Sequence, residues 1–111
     1  MINLKQEYYK MLVDIFSSYC PKAQIWMYGS RINGSSHSGS DLDLTVKSFN
    51  EAGKYLYELK KLLVESNIPF LIDINEFKNL PESFQAEIEK NYVEIYPKNI
   101  FDNDFGGQND L

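Results

Sequence analysis

Several things are scarce in this chain, and each shortage closes off a class of protein. There is a single cysteine, Cys20, so no internal disulfide can form, and a cytoplasmic location is the plain expectation. Cys20 stands just before Pro21 and reads as a small buried hydrophobe, not a nucleophile. Long apolar runs are missing: none approaches the roughly 20 residues of a membrane span. The start "MINLKQEYYKMLVDIF" lacks the basic segment and apolar block of an export signal. Positive charge is also short. Eleven Lys and Arg against 16 Asp and Glu give a formal charge of -5. That balance argues against broad contact with nucleic-acid phosphates, which Lys and Arg supply. A basic protein partner or a metal-bridged anion fits better.

What is present is ordinary globular material, with 43% hydrophobic and 24% charged residues and bulky core formers in 8 Tyr and 7 Phe. A chain of 111 residues buries one core and little more. One domain is expected over residues 1–98, followed by a flexible tail, residues 99–111, rich in turn formers. Ile100, Phe101 and Phe105 in that tail could dock on a partner.

From Leu4 to Tyr19, apolar residues recur at Leu4, Tyr8, Met11, Leu12, Ile15, Phe16 and Tyr19, the spacing of a helix with one broad buried face. Pro21 stops it. "QIWMY" predicts a strand over Gln24–Tyr28, entering a turn at Gly29-Ser30, and the loop "SRINGSSHSGS" follows. "DLDLTV" alternates strictly, with Leu42, Leu44 and Val46 on one face and Asp41, Asp43 and Thr45 on the other. Ser48 and Glu51 are spaced as a capping box, predicting a helix from there to about Glu65 that buries Leu56, Leu59, Leu62 and Leu63. "NIPFLIDINEF" predicts a third strand, Pro81 begins a helix with the stripe Leu80, Phe84 and Ile88, and "YVEIYP" a short last strand. This order implies an α+β fold, a single mixed sheet with helices packed mainly on one face.

The chemistry gathers in "MYGSRINGSSHSGSDLDLTV". Asp41 and Asp43 lie two apart on a strand, so both point to one face, where like charges repel unless a cation lies between them. Oxygen-only ligands suit Mg²⁺, which keeps waters and completes its shell with substrate phosphates. On an exposed strand such a pair is more often a solvated face. Asp73 alters the weighing, because a carboxylate inside "FLIDINEF" costs desolvation without a partner. If its strand neighbours the other, three carboxylates meet as two-metal nucleotidyl transfer requires. Gly29 permits a tight turn, so that following N–H groups and the Ser30 hydroxyl can face phosphate oxygens, with Arg31 adding charge to the same anion. Ser40 can orient Asp41 by a hydrogen bond. With usages of about 5–7% per residue, a chance G-S-x10-D-x-D is expected on the order of once in a thousand such chains.

Gly29, Ser30, Asp41 and Asp43, with Asp73 on the following strand, resemble the signature of the DNA polymerase β nucleotidyltransferase superfamily. The short length is similar to that of the minimal nucleotidyltransferases that act as antitoxins to HEPN ribonuclease toxins. The resemblance covers nearly the whole chain, with "GSRxxG", "SDLDL", "LIDINEF" and "IEKNYVEIY" in the family's order. It implies metal-dependent transfer of AMP from ATP to a hydroxyl, with a tyrosine of the cognate toxin as acceptor. Gly29 and Ser30, helped by Arg31 and Ser40, would hold the nucleotide. Asp41 and Asp43 would bind both Mg²⁺ ions, and Asp73 would complete the metal that activates the acceptor and would accept its proton. Many members carry a second arginine where this chain has Asn33, so the loop has less positive charge for a triphosphate. Room is also lacking for the extra helical domain with which larger relatives bind small substrates.

Other residues read more plainly. His37 and Ser35, Ser36 and Ser38 are loop residues, Trp26 and Tyr28 pack on one strand face, and Glu58, Lys60 and Lys61 form a wet helix face. Tyr92 and Tyr96 could accept a nucleotide in self-modification, but packing is their better assignment. Two other functions compete: a non-catalytic module that neutralises its toxin by covering it, and transfer to a small molecule or an RNA end.

Overall fold

A computed structural model describes residues 2–34 and 41–98 of the chain. The loop containing His37 and Ser40, and the predicted tail, lie outside the described residues. Helix α1 (Gln6–Tyr19) leads into strand β1 (Gln24–Tyr28), a single helical turn α2 (Ser30–Asn33) and strand β2 (Leu42–Ser48). Helix α3 (Leu56–Val64), strand β3 (Ile72–Glu76), a 3₁₀ turn (Phe77–Asn79), helix α4 (Glu82–Lys90) and strand β4 (Val93–Tyr96) complete it.

The four strands form one mixed sheet in the order β3-β2-β1-β4. β1 pairs antiparallel with β2 and β4, and β2 pairs parallel with β3. Strand alternation sorts the two faces. Ile25, Met27, Leu42, Leu44, Val46 and Ile74 are buried together with Leu12 and Phe16 of α1 and Leu59 and Leu63 of α3. Burial of such side chains is worth about 1.5–3 kcal/mol each. The opposite face carries Trp26, Tyr28 and Thr45, flanked by aromatic rings: Tyr92 stacks on Trp26 at 3.9 Å, and Phe77 meets it edge-on at 5.5 Å. The predicted mixed sheet with helices mainly on one face is the observed architecture.

Polar ties fix the layers. Buried Tyr9 on α1 donates its hydroxyl to the carbonyls of Ile95, at 2.9 Å, and Lys98, at 3.0 Å. Tyr19 on the same helix donates to the Glu58 carboxylate of α3 and accepts from the Tyr55 N–H at 2.8 Å. Among the described residues, no helix is long and apolar enough to cross a membrane.

The structure departs from the sequence reading at several points. The capping box does not form. Ser48 ends β2 opposite Gln24, and its hydroxyl accepts from the Asn50 N–H at 3.0 Å and donates to Asn50 Oδ1 at 2.8 Å. Asn50 (φ 56°) and Gly53 (φ 80°) take left-handed conformations, which no continuing helix allows, so α3 starts only at Leu56. Leu62, expected in the core, is 39% exposed, and Phe84 is 40% exposed. The third strand is confined to Ile72–Glu76, and Ser30–Asn33, read as loop, forms a helical turn that ends at Gly34 (φ 84°).

Candidate active site

The C-terminal end of β1 and the N-terminal ends of β2 and β3 lie at the same edge of the sheet. Register then places Tyr28 opposite Asp43, and Asp43 opposite Asp73, a row across three adjacent strands on one face. Asp41 lies two residues before Asp43. The carboxylates singled out in the sequence are therefore brought to one corner, with Asp41 and Asp73 exposed and Asp43 half-buried.

Gly29 closes this corner from the β1 side. Its φ of 85° falls in the left-handed region. A Cβ placed on it would overlap Asp43 Oδ2 and stand 3.1 Å from Asp43 Cγ and 3.3 Å from Asp43 Cβ. The carboxylate thus rests directly on the glycine backbone. Ser30, half-buried, opens the helical turn that follows, held by the Ile32 N–H bonded to the Gly29 carbonyl at 3.2 Å.

Burial raises the Asp43 pKa above the ordinary aspartate value, the charges of Asp73 and then Asp41 push it further, and Arg31 opposes them. A cation at the corner would relieve that repulsion. Among the described residues, no group of three His, Cys, Asp or Glu side chains is arranged to enclose a metal ion by itself. The donor set nevertheless fits a hard divalent ion, because Mg²⁺ takes one or two carboxylates and fills its remaining positions with water and phosphate.

Arg31 occupies a different setting from the open loop its sequence context suggested. It is 4% exposed, donates from Nη1 to the Asn3 carbonyl at 2.7 Å, and lies 4.2 Å over the Phe70 ring. Asn3 returns an N–H bond to the Arg31 carbonyl at 2.7 Å. Burial lowers the Arg31 pKa, while Asp41 and Asp43 act the other way, so the guanidinium lies within the field of the acidic corner. Asn33 is exposed on the same turn. Ser40, the remaining nucleotide-binding candidate, lies outside the described residues.

Sequence reasoning missed a polar row beneath the carboxylates. Fully buried Thr45 donates to Asn75 Oδ1 at 2.6 Å, and Asn75 Nδ2 donates to the Tyr28 hydroxyl at 3.0 Å. The signal was present in the alternation, which puts Thr45 in phase with Asp43 and Asn75 in phase with Asp73. Tyr92 and Tyr96 are engaged in packing, with Tyr92 stacked on Trp26 and Tyr96 donating to the Pro21 carbonyl at 3.0 Å. Outside β3, a groove of about 460 Å³ runs between α3 and the sheet edge, its lining including Lys60, Leu63, Val64, Leu71 and Asp73.

Comparison with known proteins identifies the family. The family model described as polymerase beta, nucleotidyltransferase matches residues 10–101, a span that contains all three aspartates and the Gly-Ser turn. A Haemophilus influenzae protein named "Probable protein adenylyltransferase MntA" is 31% identical over 99 residues, covering 87% of this chain and 86% of that protein. The fold is also similar to a chain in a crystal structure of a toxin-antitoxin with AMP-PNP, with a TM-score of 0.64 at 17% identity, covering 90% of this chain and 82% of that one. With a family match over most of its length and a relative covered nearly end to end, the chain belongs to the polymerase beta nucleotidyltransferase family and is a nucleotidyltransferase.

Proposed function

We propose that the protein transfers AMP from ATP to a hydroxyl of a partner protein, a tyrosine of a HEPN-type ribonuclease toxin, and thereby acts as its antitoxin. The observation that carries the reading is the Asp43–Asp73 register pair with Gly29 seated against Asp43. Two names add support: the adenylyltransferase relative at 31% identity and the toxin-antitoxin neighbour crystallised with AMP-PNP.

Asp41, Asp43 and Asp73 would hold the Mg²⁺ ions, whose chemistry when bound is to neutralise triphosphate charge and lower the acceptor pKa. The backbone at Gly29 and the Ser30 hydroxyl would hold the triphosphate, with Ser40 a further nucleotide-binding candidate. Arg31 contributes its field from below. Asp73 takes the proton as the tyrosine oxygen bonds to the α-phosphorus, the bond from that phosphorus to the bridging oxygen breaks, and pyrophosphate leaves. Catalysis rests on alignment and electrostatics, as in phosphoryl transfer generally.

Incubation with α-labelled ATP, Mg²⁺ and the protein encoded beside it tests the reading. Label moves to that protein with the wild type and not with the Asp41→Asn, Asp43→Asn double variant; transfer surviving the double variant would overturn it. Exposed apolar side chains beside Asp73, Leu71 at 74% and Val64 at 84%, favour a second reading in which the chain neutralises the toxin by covering it. A titration separates the two, since an enzyme neutralises substoichiometrically with ATP and a cover needs one copy per toxin.

A further inference from the structure

The row beneath the carboxylates is directional. Thr45 Oγ1 donates to Asn75 Oδ1 at 2.6 Å, which leaves the Asn75 amide to donate to Tyr28 Oη at 3.0 Å. Tyr28 belongs to β1 and Asn75 to β3, with β2 between them. Adjacent strands lie about 4.8 Å apart, so the Tyr28 side chain reaches over β2, whose Asp43 is its register partner. Phe84, edge-on at 5.8 Å, covers the ring, which leaves Tyr28 8% exposed. Because Tyr28 Oη accepts from Asn75, its own hydrogen is turned away from Asn75. The next side chains with acceptor oxygens along this face of β2 and β3 are Asp43 and Asp73.

We propose that Tyr28 is a positioning residue of the acidic corner: braced by Thr45 and Asn75, its hydroxyl donates to the Asp43–Asp73 carboxylate pair when these close on a divalent cation. The inference rests on the reading that the aspartates hold such a cation. Ligating carboxylates are themselves commonly held by hydrogen bonds, and loss of such a partner typically costs 10–100-fold in metal affinity. Here the partner is neutral and held by Asn75, so it restrains the carboxylates without competing for the ion. Burial, then Asp43 and Asp73, raise the Tyr28 pKa, with the Asn75 bond opposing, and the hydroxyl keeps its proton at neutral pH.

Mn²⁺ binding to the full chain, followed by the electron paramagnetic resonance of the free ion, tests this without any acceptor. Asp43→Asn removes binding, Tyr28→Phe weakens it about 10-fold, and Asn75→Leu weakens it equally. The double variant Tyr28→Phe, Asn75→Leu is no weaker than Tyr28→Phe alone, because the brace acts only through the hydroxyl. A purely structural role would lower the melting temperature and leave the affinity of the folded protein unchanged. Wild-type affinity in Tyr28→Phe, with binding lost in Asp43→Asn, overturns the inference and leaves the metal site standing. Unchanged binding in Asp43→Asn overturns the metal site itself, and the inference with it. Should Asn75→Leu fail to fold, Thr45→Val takes its place: weakened binding in that variant supports the brace, and wild-type affinity overturns it.

Discussion

Gly29 and Asp43 occupy space that a single methyl group would make incompatible. The glycine has a φ of 85°, and a Cβ on it would stand within clashing distance of Asp43 Oδ2. Gly29→Ala is therefore penalised twice, by backbone strain and by expulsion of the carboxylate. The expected outcome is a stability loss of more than about 1 kcal/mol by urea titration, with label transfer reduced at least about 100-fold. Gly34→Ala, at a φ of 84° with nothing within 4 Å among the described residues, carries the backbone penalty and serves as the control.

Asp43 makes the stability of the cation-free protein depend on pH. Its folded pKa lies above the ordinary aspartate value, so the folded state holds the proton more tightly than the unfolded chain. The resulting stabilisation is fully present below the unfolded pKa and is lost as pH rises through the folded one. At neutral pH the charged group is a liability. Asp43→Asn should therefore raise the melting temperature of the metal-free protein by about 2 °C at pH 7, a repulsion partly screened by solvent, and flatten the acid limb of the profile while abolishing transfer.

Arg31→Lys tests whether the guanidinium is anchored as well as charged. A lysine keeps the charge but not the flat group that both lies over Phe70 and bonds to the Asn3 carbonyl. The expected outcome in calorimetry is a melting temperature lower by about 5 °C, together with weaker AMP-PNP binding, because the N-terminal segment loses its tie to the turn after Gly29.

Tyr9→Phe isolates folding from chemistry. The lost hydroxyl serves the carbonyls of Ile95 and Lys98 at the far side of the sheet, so stability falls by about 1–2 kcal/mol in chemical denaturation. Transfer by the folded fraction stays at the wild-type rate.

The sequence displayed the acidic corner more clearly than its surroundings, for a physical reason. Period-two alternation in "DLDLTV" fixes the faces of Asp41 and Asp43 whatever lies beside them, and the same rule aligns Asp73 once β3 pairs with β2. Helix α1 was equally legible from its apolar stripe. The start of α3 was not, because Ser48 satisfied a capping pattern locally while sheet pairing with Gln24 claimed it. Leu62 and Phe84 match apolar stripes, but only tertiary packing decides how deep a stripe is buried. The burial of Arg31 and the reach of Tyr28 across β2 depend on residues 28 and 47 positions away, Asn3 and Asn75, and no local spacing encodes them.

Strand order adds a final consequence. Asp73 stands on β3, the last strand of the sheet among the described residues, with no further strand beyond it and an apolar groove at its side. Under the proposed function the acceptor would approach from that open flank, so the pocket that selects the hydroxyl is half built by this chain and half by the molecule being modified. Target choice could then change by exchanging partners or remodelling the rim at Leu71 and Val64, while the carboxylate corner and its glycine stay as they are.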